Sequence, residues 1–338
     1  MRTLTTLLTG ALLLTSVSSR ATVHRVNNQG YSADFIGPTA LQDAIQNNLL
    51  VLNGDTLHIE PSATSYGAIT LNRPLVLIGP GYLLNQNTGL QASVTEATIF
   101  SVDFVLGSAG SQLSGLTVAG GFGTGIWIRT DNITISRCRV SGFTFPNINS
   151  NAVNNSVITQ CYVAGGVGYP FGTAPINLLN ISNTYFGGQV SFAANHQGAI
   201  SHCVFNAGVS VFGLEFFNNI IRAGVTAENG INSIVNMKKN IFHDNPGSWL
   251  DGGSNYRIVS MTSVFGTVGS TDGMLDPLAS CANCGNGLDG AEIGMYGGST
   301  PYIPSGIPAI PAIHQLSAPA TAIQGAPLPV TIATRSND

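Results

Sequence analysis

Charge is the scarcest ingredient of this chain. Of its 338 residues only 8% are Asp, Glu, Lys or Arg, against about 25% in ordinary globular proteins. The 16 acids and 12 bases leave a net charge of −4 and form no basic stripe. That excludes the electrostatic footprint of a nucleic-acid-binding protein. No acidic block exists either, so there is no dense calcium-binding tract. The 41 glycines follow no G-X-Y period, which excludes collagen. Beyond the first residues no run of about 18 apolar residues occurs, so no transmembrane segment is expected in the mature chain.

What remains is a chain that is 43% hydrophobic and otherwise rich in Gly, Asn, Thr, Ser and β-branched residues. With so little charge, its backbone polar groups must sit in strands and tight turns. The N-terminus has the form of a secretory signal. Arg2 supplies the positive charge, Leu7 to Leu14 an apolar run, and Ser19-Arg20-Ala21 small residues at the two positions a signal peptidase inspects. Cleavage is expected near Ala21, with residues 1–21 removed and the protein secreted, extracellular, surface-bound or periplasmic.

Leu41, Ala44, Ile45 and Leu49 have helical spacing, and Thr39 with Gln42 suggests a capping box. A helix over 38–52 is expected, stopped by Asn53-Gly54. Leu57 and Ile59, Ile69 and Leu71, then Leu75 and Leu77 alternate with polar residues as short strands do. The helix suits a cap over the open end of stacked strands.

A register then appears: apolar-x-x-X-x-apolar, with X mostly small or amide-bearing. It reads Leu113 to Val118, Ile135 to Val140, Ile158 to Val163, Ile181 to Phe186, Ile200 to Phe205, Phe216 to Ile221 and Met237 to Phe242. The X positions are Leu116, Cys138, Cys161, Thr184, Cys203, Asn219 and Asn240, spaced 22, 23, 23, 19, 16 and 21 residues apart. Such a period with strand-sized apolar runs predicts a solenoid, since no single copy can bury its own apolar face. Leucine-rich repeats need a regular Leu signature and a helical half, and neither is present. The expected fold is all-β, a right-handed parallel β-helix over residues 22–298. Its regular rungs lie at about 66–245, and a Pro-rich extended tail follows over 299–338, where seven of the 16 prolines fall within residues 301–329.

Three features carry a family resemblance. They are Leu41-Gln-Asp-Ala-Ile45 followed by Gly54-Asp-Thr-Leu57, the segment Pro74 to Gly81, and the repeated Ile-x-x-Cys/Asn-x-Val/Phe rungs. Together they resemble the pectate-lyase-like superfamily of right-handed β-helices. The closer likeness is to secreted β-helix proteins of Bacteroidetes-type bacteria, which finish with a segment like Glu292 to Gly298 and a Pro-rich tail. The resemblance covers roughly residues 35–335. It implies an architecture and no single activity, because the superfamily includes lyases, hydrolases and adhesins.

Stacking makes columns of equivalent positions. Cys138, Cys161, Thr184, Cys203, Asn219 and Asn240 are expected to form an interior stack of buried residues. Positions X−1 (Arg137, Gln160, Asn183, His202, Asn218, Lys239) and X+1 (Arg139, Tyr162, Tyr185, Val204, Ile220, Ile241) are expected to form two outward ladders on one sheet. Their first members, Arg137, Arg139, Gln160, Tyr162, Asn183, Tyr185 and His202, offer aromatic faces, amides and guanidinium groups, which suit an extended glycan. Cys281-Ala-Asn-Cys284 lacks both the βαβ setting of a redox motif and the further ligands of a zinc site, so a small disulfide loop is expected. Gly120 to Gly125 mimics a dinucleotide fingerprint but leads into the strand Ile126-Trp-Ile-Arg129, so it is expected to be a turn. Asn132, Asn154 and Asn180 head Asn-x-Ser/Thr triplets that follow from the repeat's composition.

A hydrolase needs two carboxylates about 5–10 Å apart. Asp103, Asp131, Glu215, Glu228, Asp244 and Asp251 do not pair by column, and His243-Asp244 with Trp249-Leu-Asp251 form the one acid-plus-aromatic cluster. The leading expectation is therefore a non-catalytic exported module binding polysaccharide, without cofactor. The first alternative is a polysaccharide lyase or hydrolase acting on a uronate polymer. As a lyase it would use Arg137 or Arg139 as base, and only there would calcium enter. The second is a purely structural coil.

Overall fold

A computed structural model of the chain describes residues 21–121, 125–145, 152–168, 174–192, 196–210, 213–223, 237–243, 254–258, 260–321, 324–325 and 327–337. The chain winds as a right-handed parallel β-helix. Among the described residues it visits three parallel sheets of eleven, nine and seven strands, here sheets 1, 2 and 3. One rung runs Thr134–Ser136 in sheet 1, Arg139–Val140 in sheet 2 and Phe143–Thr144 in sheet 3.

The alternation read in the sequence fixes the register. In sheet 1, Leu57, Leu77, Leu113, Ile135, Ile158, Ile181, Ile200, Phe216 and Met237 lie in one line of strand partners. All are buried in the bore. Each such side chain stabilises the coil by about 1.5–3 kcal/mol, and a slip of one residue would turn the whole line to solvent.

The corner between sheets 1 and 2 explains the repeat. Arg137, Gln160, Asn183, His202, Asn218 and Lys239 all adopt positive φ, between 48° and 58°. One left-handed residue bends the strand sharply into the next sheet. The X side chain folds back at this corner onto the X−2 carbonyl, which in the rungs of Cys161, Thr184 and Cys203 also accepts a backbone N–H from the preceding rung. Cys138, Cys161 and Cys203 each donate Sγ–H to that carbonyl at 3.2 Å, and Thr184 does the same through Oγ1 at 2.8 Å. Further down, amides bond rung to rung. The Cys203, Asn219 and Asn240 backbone N–H groups donate to Oδ1 of Asn219, Asn240 and Asn255 in turn. From Cys161 onward the X backbone N–H needs a partner, and a hydroxyl or amide on the next rung supplies it to Cys161, Cys203, Asn219 and Asn240. The cysteines are free and fully buried, and burial pushes the Cys161 thiol up to about 12.

The N-terminal cap differs in detail from expectation. The helix spans Ala40–Gln46, and the buried Ala40, Leu41, Ala44 and Ile45 close the end of the bore. Thr39 makes no capping bond to the helix. Its hydroxyl donates to Asp43, and Gln42 accepts from the Thr70 N–H instead. The helix stops at Asn47 because the Arg73 guanidinium takes the carbonyls of Ala44, Ile45 and Asn47, and also that of Val51.

After Ile258 the chain leaves the coil and lies across sheet 2. A second core forms between them. Val204, Ile220 and Ile241, which face out of the coil, are fully covered by Val264, Phe265, Leu275, Ile293 and Met295. The chain then runs back up the sheet 1–sheet 2 corner. Tyr302 and Ser305 are buried on the coil, and Ala312–Ser317 and Thr331–Arg335 pair as an antiparallel hairpin. The Pro-rich tail is thus partly packed and partly a small β module. No helix among the described residues is long and apolar enough to cross a membrane.

Candidate functional site

The two ladders do not lie on one open sheet. The X−1 residues are the left-handed corner itself, and the returning chain seats on them rung by rung. Asn218 Oδ1 accepts from the Leu288 N–H at 2.7 Å. Asn183 Nδ2 donates to the carbonyls of Met295 and Gly297 at 3.0 and 2.7 Å. Gln160 Nε2 donates to the Pro301 carbonyl, and Arg137 Nη1 to that of Ile307 at 2.9 Å. The His202 ring packs beside Gly298, and burial lowers its pKa. Tyr162 and Tyr185 stack at 4.7 Å, but they pack against the second core and Tyr185 is buried. Arg139 lies half-buried, its charge acting on Tyr162. The residues expected to form an open platform are therefore the seat of the chain's own C-terminal segment. A returning strand offers carbonyls much as a polysaccharide offers hydroxyls, so the sequence pattern reads the same.

A buried carboxylate fastens this segment. Asp272 accepts from Asn87 Nδ2, the Tyr302 hydroxyl and the Ser305 N–H, at 2.9, 3.1 and 2.7 Å. The Tyr302 and Tyr82 hydroxyls meet at 2.6 Å. Cys281 and Cys284 are joined by a disulfide with Cα atoms 5.5 Å apart, at the foot of the same cover. His243 bonds the Arg222 carbonyl through Nδ1 at 2.9 Å. Its sequence partners Asp244, Trp249 and Asp251 lie outside the described residues, as do Glu228 and part of the Gly120–Gly125 turn.

The open chemistry is on sheet 3. Strands Ala68–Leu71, Ser101–Phe104 and Ile126–Ile128 stack in parallel. Ile69, Val102, Ile126 and Ile128 point into the bore, so Thr70, Asp103 and Trp127 line up outside as register partners. Arg129, two residues on, returns over them. Its Nε donates to Asp103 Oδ1 at 2.7 Å, and its guanidinium carbon lies 4.2 Å from the Trp127 ring centre. Among the described residues its two Nη groups have no other partner. Phe100, about half exposed, forms the rim. The hollow so made holds about 290 Å³, at the low end of small-ligand pockets. Burial raises the Asp103 carboxyl above its ordinary value, and Arg129 opposes the rise. An aromatic face beside a fixed ion pair can hold a sugar ring while the guanidinium and carboxylate take hydroxyls.

Two larger hollows are less suited. One of about 430 Å³ between coil and tail is lined mainly by Pro and aliphatic groups, with His58 and Gln91 at its edge. One of about 620 Å³ beside the helix end includes Arg73, whose guanidinium is spent on helix carbonyls. Among the described residues no three His, Cys, Asp or Glu side chains converge on a metal-sized site. No family model matches this chain, and comparison with curated proteins and with solved structures finds no match.

Along the sequence Asp103 looks isolated and Trp127 looks like one residue of a strand. A signal that joins them is nonetheless present. Ile126-Trp-Ile-Arg129 alternates buried with outward positions, as does Ser101-Val-Asp-Phe104, and aligning these two runs puts Asp103 against Trp127. The repeat is regular through the sheet 1–sheet 2 corner, and its spacing does not carry into sheet 3.

Proposed function

We propose that this is an exported, non-catalytic β-helix protein of the pectate-lyase-like kind that holds an extended glycan across sheet 3. The observation that carries the reading is the grouping of Trp127, Phe100 and the Asp103–Arg129 pair in an open groove on stacked strands. Parallel strands repeat about every 4.8 Å across that face, so a polymer laid over it crosses several strands and can meet Thr70, Asp103 and Trp127 in turn. The test is titration of a polysaccharide panel by calorimetry. Trp127→Ala removes an aromatic contact worth about 1.5–3 kcal/mol if the ring is covered on binding, so Kd rises tenfold or more while thermal stability holds. Failure of every glycan to bind, or unchanged binding by the variant, refutes the reading. The same panel, incubated with and without Ca²⁺ and read for unsaturated uronate, tests the lyase alternative. Product formation would end the non-catalytic one.

A further inference from the structure

At the N-terminal end of the coil, a buried carboxylate faces the first described residues of the chain. Asp55 is only 3% exposed. Its Oδ2 accepts from the Leu52 N–H at 2.7 Å and approaches His24 Nε2 at 3.2 Å. Its Oδ1 has a different partner, the backbone nitrogen of Thr22, at 2.7 Å. Thr22 is held from its other side too, because its carbonyl accepts from the Thr56 N–H at 2.8 Å. Strand pairing begins immediately after it, with Val23 opposite Thr56. Thr22 is also the residue that follows Ser19-Arg20-Ala21, the small-x-small signature of signal-peptide cleavage.

We propose that export cleaves the Ala21–Thr22 bond and that the Thr22 α-ammonium so released forms a fixed ion pair with Asp55. The step is a hydrolysis by a signal peptidase. Water adds its oxygen to the Ala21 carbonyl carbon, the C–N bond breaks, and Thr22 nitrogen takes the proton. The free amine has an ordinary pKa of about 7.7–8.0, so at neutral pH it is mostly protonated. The amide N–H already donates to a carboxylate; cleavage makes the donor cationic as well, which adds the Coulomb attraction of an ion pair at hydrogen-bond distance. The coil's first strand, already paired before cleavage, is thereby held more firmly after processing. His24 shares the carboxylate, and Arg25, Glu60 and His58 lie on the adjoining strands. This inference rests on the export reading and is independent of the glycan site.

The experiment begins with N-terminal sequencing and intact mass of the full chain exported from a bacterial host. The expected first residue is Thr22, and any other start overturns the proposal. The mature protein is then compared with the same protein acetylated at its N-terminus, each in the wild-type and the Asp55→Asn backgrounds. Acetylation is expected to lower the folding equilibrium constant about tenfold in the wild type and to change it little in the Asp55→Asn variant. An equal effect in both backgrounds overturns the ion pair while leaving the cleavage site standing. Should Asp55→Asn not fold, the α-amino pKa of the mature wild-type chain decides. It is expected well above the ordinary value, and an unshifted value refutes the pairing.

Discussion

Asn183→Gly tests whether the corner ladder holds the C-terminal cover. Asn183 is 2% exposed with φ of 48°, a conformation glycine adopts without strain. The substitution therefore leaves the corner and removes only the amide. Three bonds go: those to the Met295 and Gly297 carbonyls, and a longer one at 3.4 Å that the part-buried Thr300 hydroxyl donates to Oδ1 and whose loss adds little. Met295 O keeps the Tyr302 N–H as a donor at 2.9 Å, so its loss is a single shared bond of about 0.5–1.5 kcal/mol. The buried Gly297 carbonyl loses its side-chain donor, which costs about 1–3 kcal/mol. The sum is about 1.5–4.5 kcal/mol, or a factor of roughly 10 to 2,000 in the opening equilibrium. Hydrogen exchange read by mass spectrometry over residues 286–307 is the direct assay, with guanidinium unfolding as its global partner. Faster exchange is expected in the cover, with the sheet 1 strands affected less. Unchanged exchange over 286–307 would refute the idea that this column clasps the returning chain, and an equal gain throughout would mean that cover and coil open as one unit.

Other outcomes follow from the same geometry. Asn240→Leu strips Oδ1 from the Asn219 N–H and Nδ2 from the Phe216 carbonyl, so thermal or denaturant unfolding should show a loss of about 2–5 kcal/mol. Gly306 has φ of +52°, and a Cβ there meets the Arg137 carbonyl, so Gly306→Ala should loosen the cover by more than about 1 kcal/mol, seen as faster exchange near Tyr302. Replacing both Cys281 and Cys284 by Ala opens a four-residue loop, and the chain-entropy model gives about 2 kcal/mol, checked by denaturation with and without reductant. Asp103 has its folded pKa raised. Its proton is therefore bound more tightly in the folded state, which favours folding below the unfolded carboxylate value and loses that favour as pH rises through the folded one. Glycan affinity should run the other way, weakening in acid as the Asp103–Arg129 pair loses its charge, measurable by titration over a pH series.

The coil is legible in the sequence because its signal is redundant. Leu113, Ile135, Ile158, Ile181 and Ile200 repeat one position at near-constant spacing, and stacking buries all of them together. The capping helix is legible as an element but not in length, because Arg73, far along the chain, decides where it ends. The cover is legible only in its Cys281–Cys284 loop. Residues 260–310 have no period, and their partners, Asn183 or Tyr82, are more than a hundred residues away. An outward Tyr185 or Val204 looks the same in sequence whether water or Met295 lies over it. That ambiguity makes the covered face read like a binding face.

Closing sheet 2 changes what the remaining charges mean. Sheet 1 presents Ser114, Ser136, Thr159 and Ser182 outward, and these hydroxyls bond in pairs, Ser136 with Ser114 and Thr159 with Ser182. That face is flat and partly satisfied by itself. The chain spends its scarce ions on architecture: Arg73 ends the helix, Asp55 holds the first strand, and Asp272 fastens the cover. Of the ion pairs among the described residues, His24–Asp55 and Arg25–Glu60 lie at the N-terminal end. Asp103–Arg129 alone sits mid-coil on an uncovered strand face, beside a tryptophan. The pair is half-buried, and the burial that raises the Asp103 carboxyl offsets much of its attraction to Arg129, so its net contribution to stability is small. In a chain this poor in charge, an ion pair with so little structural value is better accounted for by a ligand than by the fold.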